Sequence, residues 1–350
     1  MKIFDSIKIK NLIFKNRIVM APMVPFGLPI NSDGTMGKEL INHYLQRVSN
    51  EMGLMISQSL SVTATPVTSK TLIDGGVGVY SDIHKVYLSQ LAEACHKKGI
   101  KFFAQLAYPS VGYDNGDSIT ELTVSDIENI ITEFVRSAKI CKQAGCDGIE
   151  LHGANGFFLN MFACSLSNKR HDQYGGNING RLLLAKKIVK EIQAFTDDNF
   201  IISYRMGWND NLENDIQTAQ ALEQIGIDLL HVSFGIPSNR KIEAPEDFPY
   251  NSIVYTGTQV KKHIHIPVIV VNDIRTLRRG NILIKNDACD FVAFGKPFLA
   301  DKEFLTKSLS NYDFNPCFGC KNCQWFINGA KCPARIKTEL LLRNTKRMEE

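Results

Sequence analysis

The sequence predicts a (β/α)8 TIM barrel with a short C-terminal Cys-rich extension, and three observations lead there. Eight short apolar, β-branched runs recur along the chain. Amphipathic segments separate them, the pattern of a parallel sheet buried on both faces and joined by crossover helices. Polar residues and glycines follow the C-terminal ends of the runs, where the loops of such a barrel form its active face. The 350 residues exceed the roughly 250 of a typical barrel. The barrel is therefore assigned to residues 1–310 and the extension to residues 311–350.

In chain order the runs are Arg17–Met20, Leu54–Ser57, Lys101–Leu106, Gly148–Leu151, Phe200–Arg205, Leu229–Ser233, Pro267–Val271 and Phe291–Phe294. Ala21–Met23 follow the first run, Gln105 lies near the end of the third, His152 follows the fourth, and Arg205 and Ser233 end the fifth and sixth. Asn272 follows the seventh run, and Gly295–Lys296 the eighth. Between the third and fourth runs, Ile127, Ile130, Ile131, Phe134, Ala138 and Cys141 repeat at helical spacing and give one apolar stripe. Ser125 and Glu128 have the spacing of a capping box ahead of it. Similar stripes occupy residues 81–98, 180–195 and 215–225, each stopped by a glycine or polar residue.

Composition removes several classes of function. A hydrophobic content of 44% supports a large core, and 40 basic against 36 acidic residues leave a net charge of only +4. That excess is too small to argue for nucleic acid. The N-terminal segment intersperses charges every few residues and contains no apolar stretch long enough for a signal peptide or membrane span. The expectation is a cytoplasmic protein. In such a compartment nine cysteines are rarely disulfides, so spacing matters more than number.

Two patterns carry chemistry. Loops after the seventh and eighth strands of a barrel frequently hold phosphate through backbone N–H groups and a basic side chain. Here those loops offer Asn272, Gly295 and Lys296, which read equally well as two ordinary turns with a surface lysine. The second pattern is His152 and Asn155, three residues apart as the chain leaves the fourth run. Both can donate an N–H to a carbonyl oxygen that gains negative charge. A core histidine beside a turn asparagine is the commoner meaning of that spacing alone.

Longer stretches are more specific. Lys15–Met23 (KNRIVMAPM), Ala104–Leu106, Asp147–Gly156 (DGIELHGANG), Asn168–Gly176 (NKRHDQYGG) with Asn179–Arg181, and Phe294–Pro297 (FGKP) resemble, in order, the signatures of the Old Yellow Enzyme family. The resemblance runs from about residue 3 to 305 and implies a flavin-dependent oxidoreductase that uses FMN. By position it implies that Ala21, Pro22, Met23 and Ser59 line the flavin ring, Gln105 holds its pyrimidine edge, and Arg205 faces the side that becomes anionic on reduction. Asn272, Gly295 and Lys296 would hold the phosphate, with Lys296 where the family commonly has arginine. His152 and Asn155 would bind the carbonyl of an activated alkene.

Three positions depart from the family pattern. Phe157 stands where the family has its proton-donating tyrosine, which would pass that role to Tyr108, Tyr113 or water. Val24 replaces a residue that hydrogen-bonds the flavin, which predicts a lower reduction potential. Tyr108-Pro109 replaces a His-Ala pair in the pocket wall.

Cys317, Cys320, Cys323 and Cys332, followed by Pro333, resemble the motif after the barrel in the 2,4-dienoyl-CoA reductase and trimethylamine dehydrogenase branch. Thiolates at these spacings can wrap a 4Fe-4S cluster, and a four-cysteine zinc site accepts the same ligands. The expected activity is hydride transfer from reduced FMN to an α,β-unsaturated or conjugated small molecule. The chain as given ends soon after Cys332, before the FAD- and NAD(P)H-binding domains of the long members of that branch. Electrons are therefore expected from NAD(P)H or from an external carrier such as a ferredoxin, a flavodoxin or an NAD(P)H reductase. An amine or steroid-type dehydrogenase and an electron-transfer subunit are the competing readings, and self-association is left open.

Overall fold

The computed structural model describes residues 1–64, 76–109, 117–208, 211–236 and 243–349, with side chains described as far as residue 341. An antiparallel hairpin, β1 (Ile7–Ile9) and β2 (Leu12–Phe14), precedes the barrel. The barrel strands are β3 (Ile18–Met20), β4 (Leu54–Ser61), β5 (Lys101–Ala107), β6 (Gly148–Gly153), β7 (Ile201–Gly207), β8 (Leu229–Ser233), β9 (Val268–Val271) and β10 (Phe291–Phe294). All pair in parallel, and β10 closes onto β3 through Val292–Ile18, Ala293–Val19 and Phe294–Met20. The expected (β/α)8 barrel is thus observed.

The strands form where apolar runs can be buried on both faces, and every residue of β4, β6, β7 and β8 is buried. One correction falls on β4, which runs four residues past the expected Ser57. Gln58 and Ser59 look like a strand end in sequence. The strand continues because its polar groups are bonded inside: Tyr44 Oη accepts from the Gln58 backbone at 2.7 Å, and Ser57 Oγ accepts from the Gln105 backbone at 3.1 Å. A register shift between Ile56 and Ser59 absorbs the irregularity and aims Ser59 opposite Gln105.

The stripe between β5 and β6 forms the helix Val124–Gln143, with Ile127, Ile130, Ile131, Phe134, Ala138 and Cys141 all buried. Its capping box is Thr123 and Asp126 rather than Ser125 and Glu128. Thr123 takes the extended conformation an N-cap needs, leaving Glu128 within the helix, where it accepts from Tyr174 Oη at 2.6 Å. The later stripes form the helices Leu183–Gln193 and Leu212–Ile225, the second stopped by Gly226 at φ 94°.

The hairpin was not anticipated, because its alternating charges hide its apolar face. Ile9, Leu12 and Phe14 pack into the N-terminal end of the barrel with Val19, Leu54, Ile201 and Leu229. Phe14 meets Phe103 and Phe291 edge-on, with ring centroids 6.1 and 5.3 Å apart. At the other end, the chain beyond Asn311 packs back onto the barrel. Trp325, Cys332 and Ala334 bury against Leu299 and Ala300, and the Gly329 backbone donates to Phe26 at 2.9 Å.

Candidate active site

The C-terminal ends of the strands open into a cleft of about 770 Å³. All nine residues expected to hold the cofactor line it: Ala21, Pro22, Met23, Ser59, Gln105, Arg205, Asn272, Gly295 and Lys296. His152 and Asn155 line it as well. Tyr108 does not. It is half-buried against Phe158, with ring centroids 4.6 Å apart, and Glu133 and Asp126 contribute to raising its phenol above the ordinary value after burial itself. Tyr113 lies outside the described residues.

The floor of the cleft is a buried polar network. Gln105 and Glu150 are cross-strand neighbours on β5 and β6, and the Gln105 Nε2 donates to Glu150 Oε1 at 2.8 Å. Glu150 Oε2 lies 2.9 Å from His231 Nδ1, and both side chains are fully buried. Burial by itself would push the Glu150 carboxyl up, yet His231, Arg205 and Gln105 together hold it below the usual range. Burial also pulls His231 down, against the pull of Glu150. The geometry suits an N–H at His231 Nδ1 donated to the Glu150 carboxylate. Arg205, 9% exposed, keeps its charge beside Glu150, and its Nε has no partner among the described residues. An unpaired buried guanidinium N–H is costly, so this one is a donor awaiting a ligand.

On the next strand end, His152 pairs in register with Arg205. Its ring is buried and stacked on Phe157, with centroids 4.1 Å apart and planes at 30°. Burial, with Arg205 and His231 nearby, holds it well below the ordinary histidine value. It is a neutral imidazole whose Nδ1 has no partner among the described residues. Asn155 is exposed into the cleft at φ 60°, and its backbone donates to Phe234 at 2.7 Å. Asparagine tolerates that left-handed conformation better than most side chains.

The opposite end of the cleft is basic. Asn272 and Asp273 both have positive φ, 101° and 54°, so the turn after β9 is held in a sparsely populated conformation. Asn251 Nδ2 donates to Asn272 Oδ1 at 3.0 Å, and Asp273 holds Arg275 at 2.6 Å. Gly295 faces Met23: a Cβ there would sit 3.1 Å from the sulfur and narrow the cleft. Lys296 is exposed beside it.

Sequence reasoning missed several of these groups. Arg275 lines the cleft as well, ion-paired to Asp273; its position three residues after Asn272 was the available signal. Cys323, Trp325 and Phe326 form another part of the wall, so the extension helps enclose the cleft. Nothing in the pattern of a buried Glu or His revealed the Glu150–His231 pair. Conversely, Asn168–Gly176, among the most specific signatures, is structural. Arg170 donates to Leu122 at 2.8 Å and to Asp172, and Asn168 Nδ2 donates to the carbonyls of Phe162 and Tyr174.

The four cysteines of the extension all border one small hollow with Lys296, Phe318 and Trp325. The Gly319 backbone donates to Cys317 Sγ at 3.4 Å. Among the described residues, no three His, Cys, Asp or Glu side chains are drawn together closely enough to hold a metal ion.

A basic end, a floor with unpartnered donors and an apolar wall of Met23, Val24 and Phe26 fit a flat, phosphorylated heterocycle such as FMN. The family model described as "NADH:flavin oxidoreductase / NADH oxidase family" matches residues 2–113 and 110–313. The chain belongs to that family. It is 31% identical to a Thermoanaerobacter brockii protein named NADH oxidase, over 91% of this chain and 52% of that one. It is 27% identical to a Clostridium sporogenes protein named cinnamate reductase, over 91% of this chain and 54% of that one. The chain spans about half the length of these curated relatives. Its fold superimposes on an Old Yellow Enzyme homologue from Zymomonas mobilis with a TM-score of 0.72 and 20% identity, covering 95% of this chain and 99% of the other. The description of that family is of flavin oxidoreductases. Among the described residues, no helix is long and apolar enough to cross a membrane.

Proposed function

We propose that this family member reduces a conjugated small molecule at the cleft, and that a 4Fe-4S cluster on Cys317, Cys320, Cys323 and Cys332 supplies the electrons. The observation that carries the reading is a neutral His152 beside Asn155 at one end of a cleft whose floor holds Arg205 and whose far end holds Lys296. When bound, FMN supplies the hydride.

Gln105 and Arg205 would hold the polar edge of the cofactor, and the arginine's charge favours its anionic reduced form. Asn272, Gly295, Lys296 and Arg275 would hold the phosphate. Ala21, Pro22, Met23 and Ser59 would line the ring. His152 and Asn155 would hold the substrate's carbonyl oxygen and stabilise the negative charge it gains as the β-carbon receives hydride. A histidinium could not be more useful here, since the neutral ring already offers an N–H and avoids burying a second cation beside Arg205. Phe157 has no proton to give and Tyr108 packs outside the lining, which leaves Tyr113 or water as the source of the α-carbon's proton.

Support for the conjugated substrate comes from the relative named cinnamate reductase. The cluster is supported by four cysteines around one hollow that shares Cys323 and Trp325 with the cleft. A small one-electron carrier protein or NAD(P)H would be the source of electrons, and the setting would be cytoplasmic. The test is anaerobic purification followed by a screen of conjugated acids, esters and ketones with a reduced carrier. Re-oxidation of bound FMN by none of them would overturn the reading. Stoichiometric zinc in place of about four irons would overturn its cluster. Lys296→Ala should weaken FMN binding; unchanged affinity would move the phosphate elsewhere.

A further inference from the structure

Glu150 is the one carboxylate of the cleft floor, and it does not line the cleft itself. Its two oxygens are divided between two partners. Oε1 takes an N–H of Gln105, so the Gln105 side chain is held by its nitrogen while the residue lines the cleft. Oε2 lies 2.9 Å from His231 Nδ1, and His231 Nε2 is buried with no partner among the described residues. Behind Arg205 the same carboxylate provides, among the described residues, the opposite charge that stabilises that buried cation. The strand register makes the arrangement rigid: Gln105 neighbours Glu150 across β5–β6, and Arg205 neighbours His231 across β7–β8.

We propose that Glu150, clamped by His231, is a positioning residue for the flavin site: it turns the Gln105 amide so that its oxygen meets the cofactor, and it partly neutralises Arg205. This rests on the FMN reading above. Two consequences follow from electrostatics and geometry. A negative charge near the polar edge of the ring opposes its reduction, so removing it should make the bound flavin easier to reduce. A fixed amide costs less entropy on binding than one that must be oriented, so loosening it should weaken binding.

Three variants separate charge from position. Glu150→Gln keeps the shape and loses the charge; the midpoint potential of bound FMN should rise while apo-protein affinity for FMN changes by less than about tenfold. Glu150→Asp keeps the charge but cannot reach both partners; it should restore the potential and weaken FMN binding more than Glu150→Gln does. His231→Asn retains an N–H donor and should sit near the parent in both measurements. Nitrogen-15 shifts of the parent's histidines should show His231 protonated on Nδ1 only, a readout that needs no FMN. An unchanged potential in Glu150→Gln with FMN bound, a His231 protonated on Nε2, or a shift in His231→Asn equal to that in Glu150→Gln would overturn the proposal while leaving the flavin reading intact. A parent protein that binds no FMN would overturn both.

Discussion

His152 and Phe157 form a stacked pair whose members have separate duties, one as donor and one as its support. His152→Ala or Asn155→Ala should slow oxidation of reduced flavin by substrate by roughly 10²-fold or more, the scale of losing a preorganised donor. FMN content should be unchanged, and stopped-flow absorbance of the flavin measures both. The alanine at position 155 also carries the left-handed strain that asparagine tolerates, so Asn155→Gly is the control that removes the side chain without it. Phe157→Tyr tests the missing acid: faster turnover of simple enones is expected if a phenol at that position is what protonation lacks. Tyr108→Phe should be near-silent, given where Tyr108 packs; a large loss there would return the donor role to it. His152, Asn155, Gln105 and Arg205 were legible because each follows or ends an apolar run, where a barrel keeps its reactive groups. Glu150 and His231 were not, because a buried polar residue inside a run looks like any other strand position until its partner, about eighty residues away, is in view.

At the scale of elements, burial on both faces made the strands readable and alternation hid the hairpin. Thr123 shows the limit of motif spacing. Two overlapping S/T-x-x-D/E patterns lie two residues apart, and the backbone chooses the one whose first residue is extended. Thr123→Ala should therefore destabilise the fold by about 1 kcal/mol, and Ser125→Ala by much less, as read by denaturant midpoints. A larger loss at Ser125 would reverse that assignment. The Asn168–Gly176 segment was legible as a signature but not as a structure. Its polar side chains answer the carbonyls of two neighbouring segments, and Arg170→Ala should cost stability while leaving the flavin potential of folded protein unchanged.

For the whole molecule, His43, His152 and His231 are all buried and all held below the ordinary histidine value, chiefly by desolvation. The unfolded chain binds protons near pH 6.5 that the folded chain refuses, so stability falls as pH drops through that value. Stability should therefore fall between about pH 6.5 and 5.5, visible as a falling denaturation midpoint; a midpoint independent of pH in that window would contradict the neutral rings. Because Cys323, Trp325 and Phe326 form part of the cleft wall, Cys323→Ser should both abolish metal loading and loosen FMN. Loss of iron with unchanged FMN affinity would show that the wall stands without its metal. The hairpin at the other end has a kinetic meaning. Phe14 closes the N-terminal end of the barrel, so the described cleft opens at the C-terminal ends of the strands; if NAD(P)H and an organic acceptor both bind there, each would exclude the other. Excess acceptor should then inhibit turnover driven by NAD(P)H and give parallel double-reciprocal plots. Turnover driven by a reduced carrier through the cysteine segment should show no such inhibition, so queueing at the doorway reports which route the electrons take.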